Sequence, residues 1–449
     1  MLQDGIYSNM QIVEQKKSNN NIVSTNRNFF LEWSNLCVQY NFAIYDAGLD
    51  AFKSLFSFQN ESADTKRINN TIRATFDSSL RHSLEGEKFA RTLGNYLEFF
   101  SKEVKLTHHE LLHNIIDDIY AKMNAFIEPF RDNINRTPSK IIPMKGEFDL
   151  LHYDSSKIEH KTPLLIVGSL INRHYILDLL PKISIVKQFQ KIGFDVYATD
   201  WRTPMSYDKD MTMDSYVEQY IERSVEKIQE VTGEKKVSLF GYCWGGIFSL
   251  IYSSLHPENV KNLILHATPA DMTDTPTPIE SWAKKLNADK LVDAFGNIPG
   301  SFLNIAFFMR NPIEAMLKYP RFFSEPRSWD EINQFIAVET WLYDSRPIIG
   351  HVFSKIIDEV YKKNLLIQNK MKVGDILVDL EKITMPFLNI VGKGDDLVPP
   401  QSCIPVTNKV GSTDKKLIEF PTGHVGLCIS AKAHEQLWPQ VTKWLAERS

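Results

Sequence analysis

The chain is poor in cysteine, nearly balanced in charge, and almost free of long uninterrupted apolar runs. Four cysteines in 449 residues (Cys37, Cys243, Cys403 and Cys428) are too few and too scattered for a disulfide scaffold or a CxxC zinc site, which favours a reducing compartment. Lys and Arg number 51 against 55 Asp and Glu, a formal net charge of −4. Nothing in that balance draws the chain to nucleic acid or to an anionic membrane surface, and nucleic acid is not expected as a partner. The opening MLQDGIYSNMQIVEQ has no basic stretch followed by an apolar one, so a cytoplasmic location is expected rather than secretion. Internal repeats are not apparent. The one uncharged run of membrane-spanning length, Val237 to Pro257, reads GYCWGG at its middle. Glycines at that density fit a sharp turn between two buried elements better than a single helix, so no transmembrane segment is expected.

What the chain has is core-forming material. Hydrophobic residues make up 43% of it, and its length allows two or three units or one large α/β domain with additions. Residues 1–24 are polar and read as a disordered tail. Residues 25–136 read as amphipathic helices, with Trp33, Leu36, Tyr40 and Ile44, then Phe89, Leu93, Tyr96 and Phe100, recurring every three or four positions. After Thr137-Pro138 the pattern changes to short apolar strands alternating with helices. LLIVGSL (164–170), FDVYATDW (194–201), VSLFGY (237–242), NLILHAT (262–268), FLNIVGKGD (387–395) and KLIEFPTGH (416–424) predict a mostly parallel sheet buried on both faces over 137–449. An insertion at about 270–384 interrupts the alternation. Rich in aromatics such as Trp282, Phe302, Phe308 and Trp341, it reads as a folded cap, either a water-excluding lid or a plain helical cover.

Cys243 lies in Gly241-Tyr242-Cys243-Trp244-Gly245, after an apolar strand and before an apolar helical run. This is the strand–turn–helix setting of a nucleophile elbow, with Cys where Ser is usual. Such a turn aims the thiol into solvent beside a helix N-terminus, where backbone N–H groups favour the thiolate. An acid and a histidine follow in the chain order of an α/β-hydrolase. Asp395 stands at the end of strand FLNIVGKGD and His424 on the Gly-flanked loop after KLIEF. Asp395 is preferred to Asp396 because it directly follows the strand. The imidazole takes the thiol proton, and the carboxylate fixes its tautomer. An oxyanion hole is expected from the backbone N–H of Trp244 and one near Ser169 and Leu170. A thiol nucleophile keeps an acyl group activated as a thioester, which serves a transferase more than a hydrolase if water is kept out.

These residues, in company with Asn172-Arg173-His174-Tyr175, Asp178, Ser184, Asp200-Trp201, Thr268-Pro269-Ala270-Asp271, Asp344-Ser345, Tyr361 and Asn364-Leu365, give a sequence that resembles the poly(3-hydroxyalkanoate) synthases over about residues 137–445. The likeness is to the class III catalytic subunit in particular. It implies an α/β-hydrolase fold and an acyltransferase that polymerises (R)-3-hydroxyacyl-CoA, short-chain 3-hydroxybutyryl-CoA foremost. CoA is released, and the polyester collects in cytoplasmic granules. It further implies that Cys243 carries the chain as a thioester, that His424 is the general base, and that Asp395 helps activate the 3-hydroxyl. No cofactor or metal is implied, because the CoA thioester is substrate. A homodimer and a class III-type second subunit are the protein partners it suggests. Trp244 departs from the Gln usual in class III. The rival readings are a Cys-dependent hydrolase, either a thioesterase or of the dienelactone type, and a non-catalytic granule-associated protein.

A decoy lies at His109-Glu110-Leu111-Leu112-His113, which matches the HExxH zinc signature. Thr107 and Glu110 also make a capping box, and an ordinary apolar stripe follows, so helix initiation accounts for the motif without a metal. Metal analysis of chelator-free protein should find no stoichiometric zinc; one zinc per chain would overturn this reading.

Overall fold

The computed structural model describes residues 136–449, less 145–147, 156, 206–207, 209–210, 275–276 and most of 312–326. The tail expected over 1–24, the helical region expected over 25–136 (Arg136 excepted) and the HExxH decoy lie outside the described residues. The sheet and the candidate site belong to one compact unit, Ile115–Arg310 with Asp330–Ser449.

Its centre is an eight-stranded sheet in the order β1-β2-β4-β3-β5-β6-β9-β10. The strands are β1 (Lys140–Ile142), β2 (Phe148–Tyr153), β3 (Leu164–Val167), β4 (Val196–Trp201), β5 (Val237–Tyr242), β6 (Val260–His266), β9 (Phe387–Gly392) and β10 (Lys415–Phe420). A separate hairpin pairs β7 (Lys372–Val373) with β8 (Ile376–Leu377). From β4 to β10 every pairing is parallel, as the unbroken apolar runs of β3 and β5 require of strands covered on both faces. Crossovers are made by α1 (Ile185–Lys191), α2 (Glu222–Thr232) and α3 (Trp244–Leu255). Every residue of α3 from Trp244 to Ser254 is buried, so the uncharged run is a strand, a turn and a core helix.

Two strands escape the periodicity reading. β1 pairs antiparallel with β2, and β2 antiparallel with β4, extending the sheet at one edge. β2 carries Asp149 and His152 among its apolar residues; Asp149 pairs with Arg202 and His152 with Asp195, so polar positions that weaken its signature are satisfied across strands. Asp178 holds the chain's entry into the sheet, accepting from Thr137 N and Oγ1 and from Ser184 Oγ at 2.8, 2.7 and 2.5 Å.

Between β6 and β9 the chain folds into α4 (Pro278–Lys285), α5 (Ala288–Phe295), α6 (Gly300–Arg310), α7 (Trp329–Tyr343) and α8 (Gly350–Lys355). A π-helical turn, Ile356–Lys362, continues α8. We call this segment the cap. Beyond β10 come the single turn α9 (Gly426–Ile429) and the final helix α10 (Trp438–Ala446). Trp438 is wholly buried, packs edge-on against Phe189 of α1 and His266 of β6, and donates from Nε1 to Leu427 O at 3.0 Å. It thereby ties the last helix to the turn just after His424. Trp438→Ala should cost roughly 3–5 kcal/mol in urea denaturation, the range for removing a fully buried large aromatic; a loss under about 1 kcal/mol would show that this contact is dispensable.

Candidate active site

The sequence places three reactive side chains after three different strands, and the parallel sheet brings them to one edge. β5, β9 and β10 end in register, with Tyr242 beside His266 and Phe420 beside Gly392, so the loops that follow open on the same side. Cys243 takes φ 52° and ψ −120°, a conformation costly for a non-glycine residue. It is pinned on both sides. Its N–H donates to His266 O and its carbonyl accepts from Gly246 N, each at 2.9 Å.

The flanking glycines are needed for close approach. A Cβ on Gly241 would lie 2.5 Å from Gly246 Cα, and one on Gly245 would lie 2.1 Å from Val167 O. The second contact seats the N-terminus of α3 directly on the end of β3. Ser169 and Leu170, both buried, follow in the loop just beyond this contact. One expectation fails here: the thiol is not aimed into open solvent. Cys243 is 6% exposed, because the cap lies over the elbow, and the indole of Trp244 donates to the hydroxyl of Tyr361 in the cap at 3.1 Å.

His424 and Asp395 meet as the motif order suggested. His424 Nδ1 donates to Asp395 Oδ2 at 2.7 Å, and His424 is 7% exposed. The other oxygen of Asp395 accepts from the backbone N–H of Leu397 and Val398 at 2.9 and 2.8 Å. Both carboxylate oxygens are therefore engaged, one shaping the turn and one orienting the imidazole. Asp395 does not follow the strand directly, since β9 ends at Gly392 and a tight turn intervenes. Asp396 is out of contention: it faces solvent and pairs with Arg310 at 2.8 Å. Burial opposes a charged imidazole at His424. The charge and hydrogen bond of Asp395, helped by the nearby Cys243, outweigh it and raise His424 to about 10. A thiol beside such a histidine can pass its proton across and attack an acyl carbon.

Sequence reasoning missed His266. It is fully buried against Tyr242 and Trp438, and burial together with the nearby His424 charge lowers it to about 3, so it stays neutral. Its place in an apolar strand reads simply as core, and no motif singles it out. The spare cysteines Cys403 and Cys428 are buried, and burial raises both thiols well above their ordinary range, which leaves them protonated and inert.

Residues 162–428 match the alpha/beta hydrolase fold family, and residues 106–189 match the family described as the N-terminus of poly-beta-hydroxybutyrate polymerase (PhaC). The poly(3-hydroxyalkanoate) polymerase subunit PhaC of Haloferax mediterranei is 38% identical, the match covering 71% of this chain and 65% of that protein. That of Allochromatium vinosum is 35% identical over 70% of this chain and 89% of that protein. The chain belongs to the poly(3-hydroxyalkanoate) polymerases. It is accordingly an acyltransferase-class enzyme on an α/β-hydrolase fold. Among solved structures, a hydrolase from Pseudomonas aeruginosa aligns at TM-score 0.44 and 16% identity, covering 69% of this chain and 99% of that one, a likeness too distant to bear on the polymerase site.

The raised value of His424 makes stability depend on pH. A histidine held at about 10 in the folded chain, against an ordinary 6.5, contributes stability that is complete below about pH 6.5 and is lost as pH rises through about 10. The gap in melting temperature between the parent and His424→Gln should therefore narrow steadily from pH 6.5 to pH 10. A gap that stays constant over that window would mean that the Asp395–His424 pair is not charged.

Proposed function

We propose that this polymerase builds polyester from (R)-3-hydroxyacyl-CoA, with Cys243 as nucleophile, His424 as general base and Asp395 orienting it. The observation that carries the reading is the buried, strained elbow cysteine beside a histidine whose other ring nitrogen is fixed by a carboxylate at 2.7 Å. In the first half-reaction the Cys243 thiolate attacks the thioester carbonyl. The C–S bond to CoA breaks, and the departing thiolate takes a proton from His424. In the second, the hydroxyl of another acyl unit attacks the Cys243 thioester, its proton passes to His424, an ester bond forms and the cysteine sulfur leaves. Since both oxygens of Asp395 are already engaged, its share in activating the hydroxyl runs through the imidazole.

The choice of thiol follows from energetics. Exchange of one thioester for another is nearly free of cost, so the bound acyl group remains reactive toward an alcohol. Water would waste it. The low exposure of Cys243 and His424 supports transfer over hydrolysis. We further propose Trp244 N–H, with an N–H from the Ser169–Leu170 loop, as oxyanion donors, and 3-hydroxybutyryl-CoA as the substrate to try first. The insoluble product would place the enzyme at a granule surface, and no helix among the described residues is long and apolar enough to cross a membrane. A homodimer and a second subunit are the protein partners to look for.

Purified chain given (R)-3-hydroxybutyryl-CoA should release CoA thiol and form insoluble polyester, and Cys243→Ala should do neither. Release of CoA with only free acid would make the protein a thioesterase. No release, alone or with a candidate second subunit added, would overturn the reading.

A further inference from the structure

The loop that follows β3 is held from the cap, by side chains that the chemistry above leaves unused. We propose that the cap segment Trp341–Arg346 sets the position of this loop, with Asn172 as its pivot, so that Asn172 is a positioning residue for acyl transfer. The inference rests on the proposed role of the Ser169–Leu170 loop as an oxyanion donor.

Asn172 stands two residues beyond Leu170 and adopts φ 60°, in the left-handed region that Asn tolerates better than most residues but still at a cost. Its amide offsets that cost with bonds into the cap. Nδ2 donates to Leu342 O at 3.1 Å, and Oδ1 accepts from Ser345 Oγ at 3.0 Å. Ser345 Oγ also lies 2.9 Å from Asn304 Oδ1, and Asn304 Nδ2 has no partner among the described residues. With its amide turned over, Asn304 donates to Ser345, whose own proton then serves Asn172. The next residue is tied as well, since Trp341 Nε1 donates to Arg173 O at 2.8 Å.

A second anchor lies at the end of β4. Asp200 accepts from Arg173 Nη2 at 3.0 Å in the loop and from Arg346 Nη1 at 3.2 Å in the cap, and His174 Nδ1 lies 3.1 Å from it. Tyr175 closes the run by donating to Asp344 at 2.9 Å. Four consecutive loop residues, 172–175, thus engage the cap segment directly or through one shared carboxylate. The two elements border a narrow cleft lined by Leu170, Asn172, Arg173, Asp200 and Arg346. Directed polar bonds hold the joint across that gap, and directed bonds fix a loop's position more narrowly than apolar contact does.

Asn172→Gly is the decisive variant, because glycine accepts the backbone angle without strain and removes only the amide bonds. Displacing an oxyanion donor by a fraction of an ångström should lower kcat about 10- to 100-fold, with KM changed by less than about threefold. Ser345→Ala, which deletes one of the same bonds, should give a smaller loss of the same kind. Alkylation of Cys243 by iodoacetamide needs no oxyanion hole, so its rate should match the parent in both variants. Unchanged kcat, a rise in KM alone, or alkylation slowed in step with turnover would each overturn the proposal. The acylation burst with p-nitrophenyl butyrate separates it from the polymerase reading. A parent that gives the burst but no CoA release would sink the polymerase reading, while the ratio of parent to Asn172→Gly burst rates would still decide the role of Asn172.

Discussion

The site depends on one backbone constraint, the left-handed turn at Cys243. A cysteine with φ 52° persists only if its surroundings over-determine it, and here they do. β5 is flanked on both sides by parallel neighbours, so the strand cannot shift to relax the turn. The N–H of Cys243 continues the β6 pairing to His266, and its carbonyl starts α3. Because Gly245 sits on the β3 carbonyl of Val167, relaxing the elbow would also move the helix off the loop that carries Ser169 and Leu170. The elbow cysteine and the Ser169–Leu170 loop are therefore one packing unit.

Electrostatics divides the buried groups around that turn into active and silent ones. His266 lies close enough to feel the charge of His424, yet one is lowered to about 3 and the other raised to about 10. The difference is a carboxylate. Asp395 reaches His424 at 2.7 Å, while the ring nitrogens of His266 have no hydrogen-bond partner among the described residues. Cys403 and Cys428 are held neutral by burial.

Much of this was legible in the sequence because the local pattern and the tertiary environment agree. The runs at 164–170 and 237–242 have no polar residue large enough to face water, so they can only be interior strands, and the glycines about Cys243 announce a close approach. The failures have equally definite causes. β2 hides because Asp149 and His152 interrupt its apolar face and find partners only in the folded state. The burial of Cys243 was missed because a local motif gives the direction of a side chain but not what covers it. What the cap supplies comes from more than 90 residues away in sequence. Asn172, Arg173 and Asp344 were recognisable as a motif, yet nothing in their spacing reveals that one segment grips the other.

That grip bears on how a polymerase can keep water out and still admit substrate. An apolar seal of continuous packing would exclude water well but would be expensive to open, since every contact would be lost together. The cap instead meets the core near the site through discrete bonds: Trp244 to Tyr361 at the elbow, and Asn172 to Leu342 and Ser345 at the loop. Each is worth about 1 kcal/mol net, because water can replace it when the joint opens. Tyr361, kept protonated by burial, retains its own hydrogen to donate while it accepts from Trp244. The Trp244 ring also faces Phe353 at 6.3 Å, so the contact at the elbow joins a directed bond to an aromatic one. A cap attached in this way can release at the loop while the indole contact at the elbow holds. On the proposed mechanism, an acyl group carried on Cys243 would then stay dry during the exchange of one hydroxyl for the next.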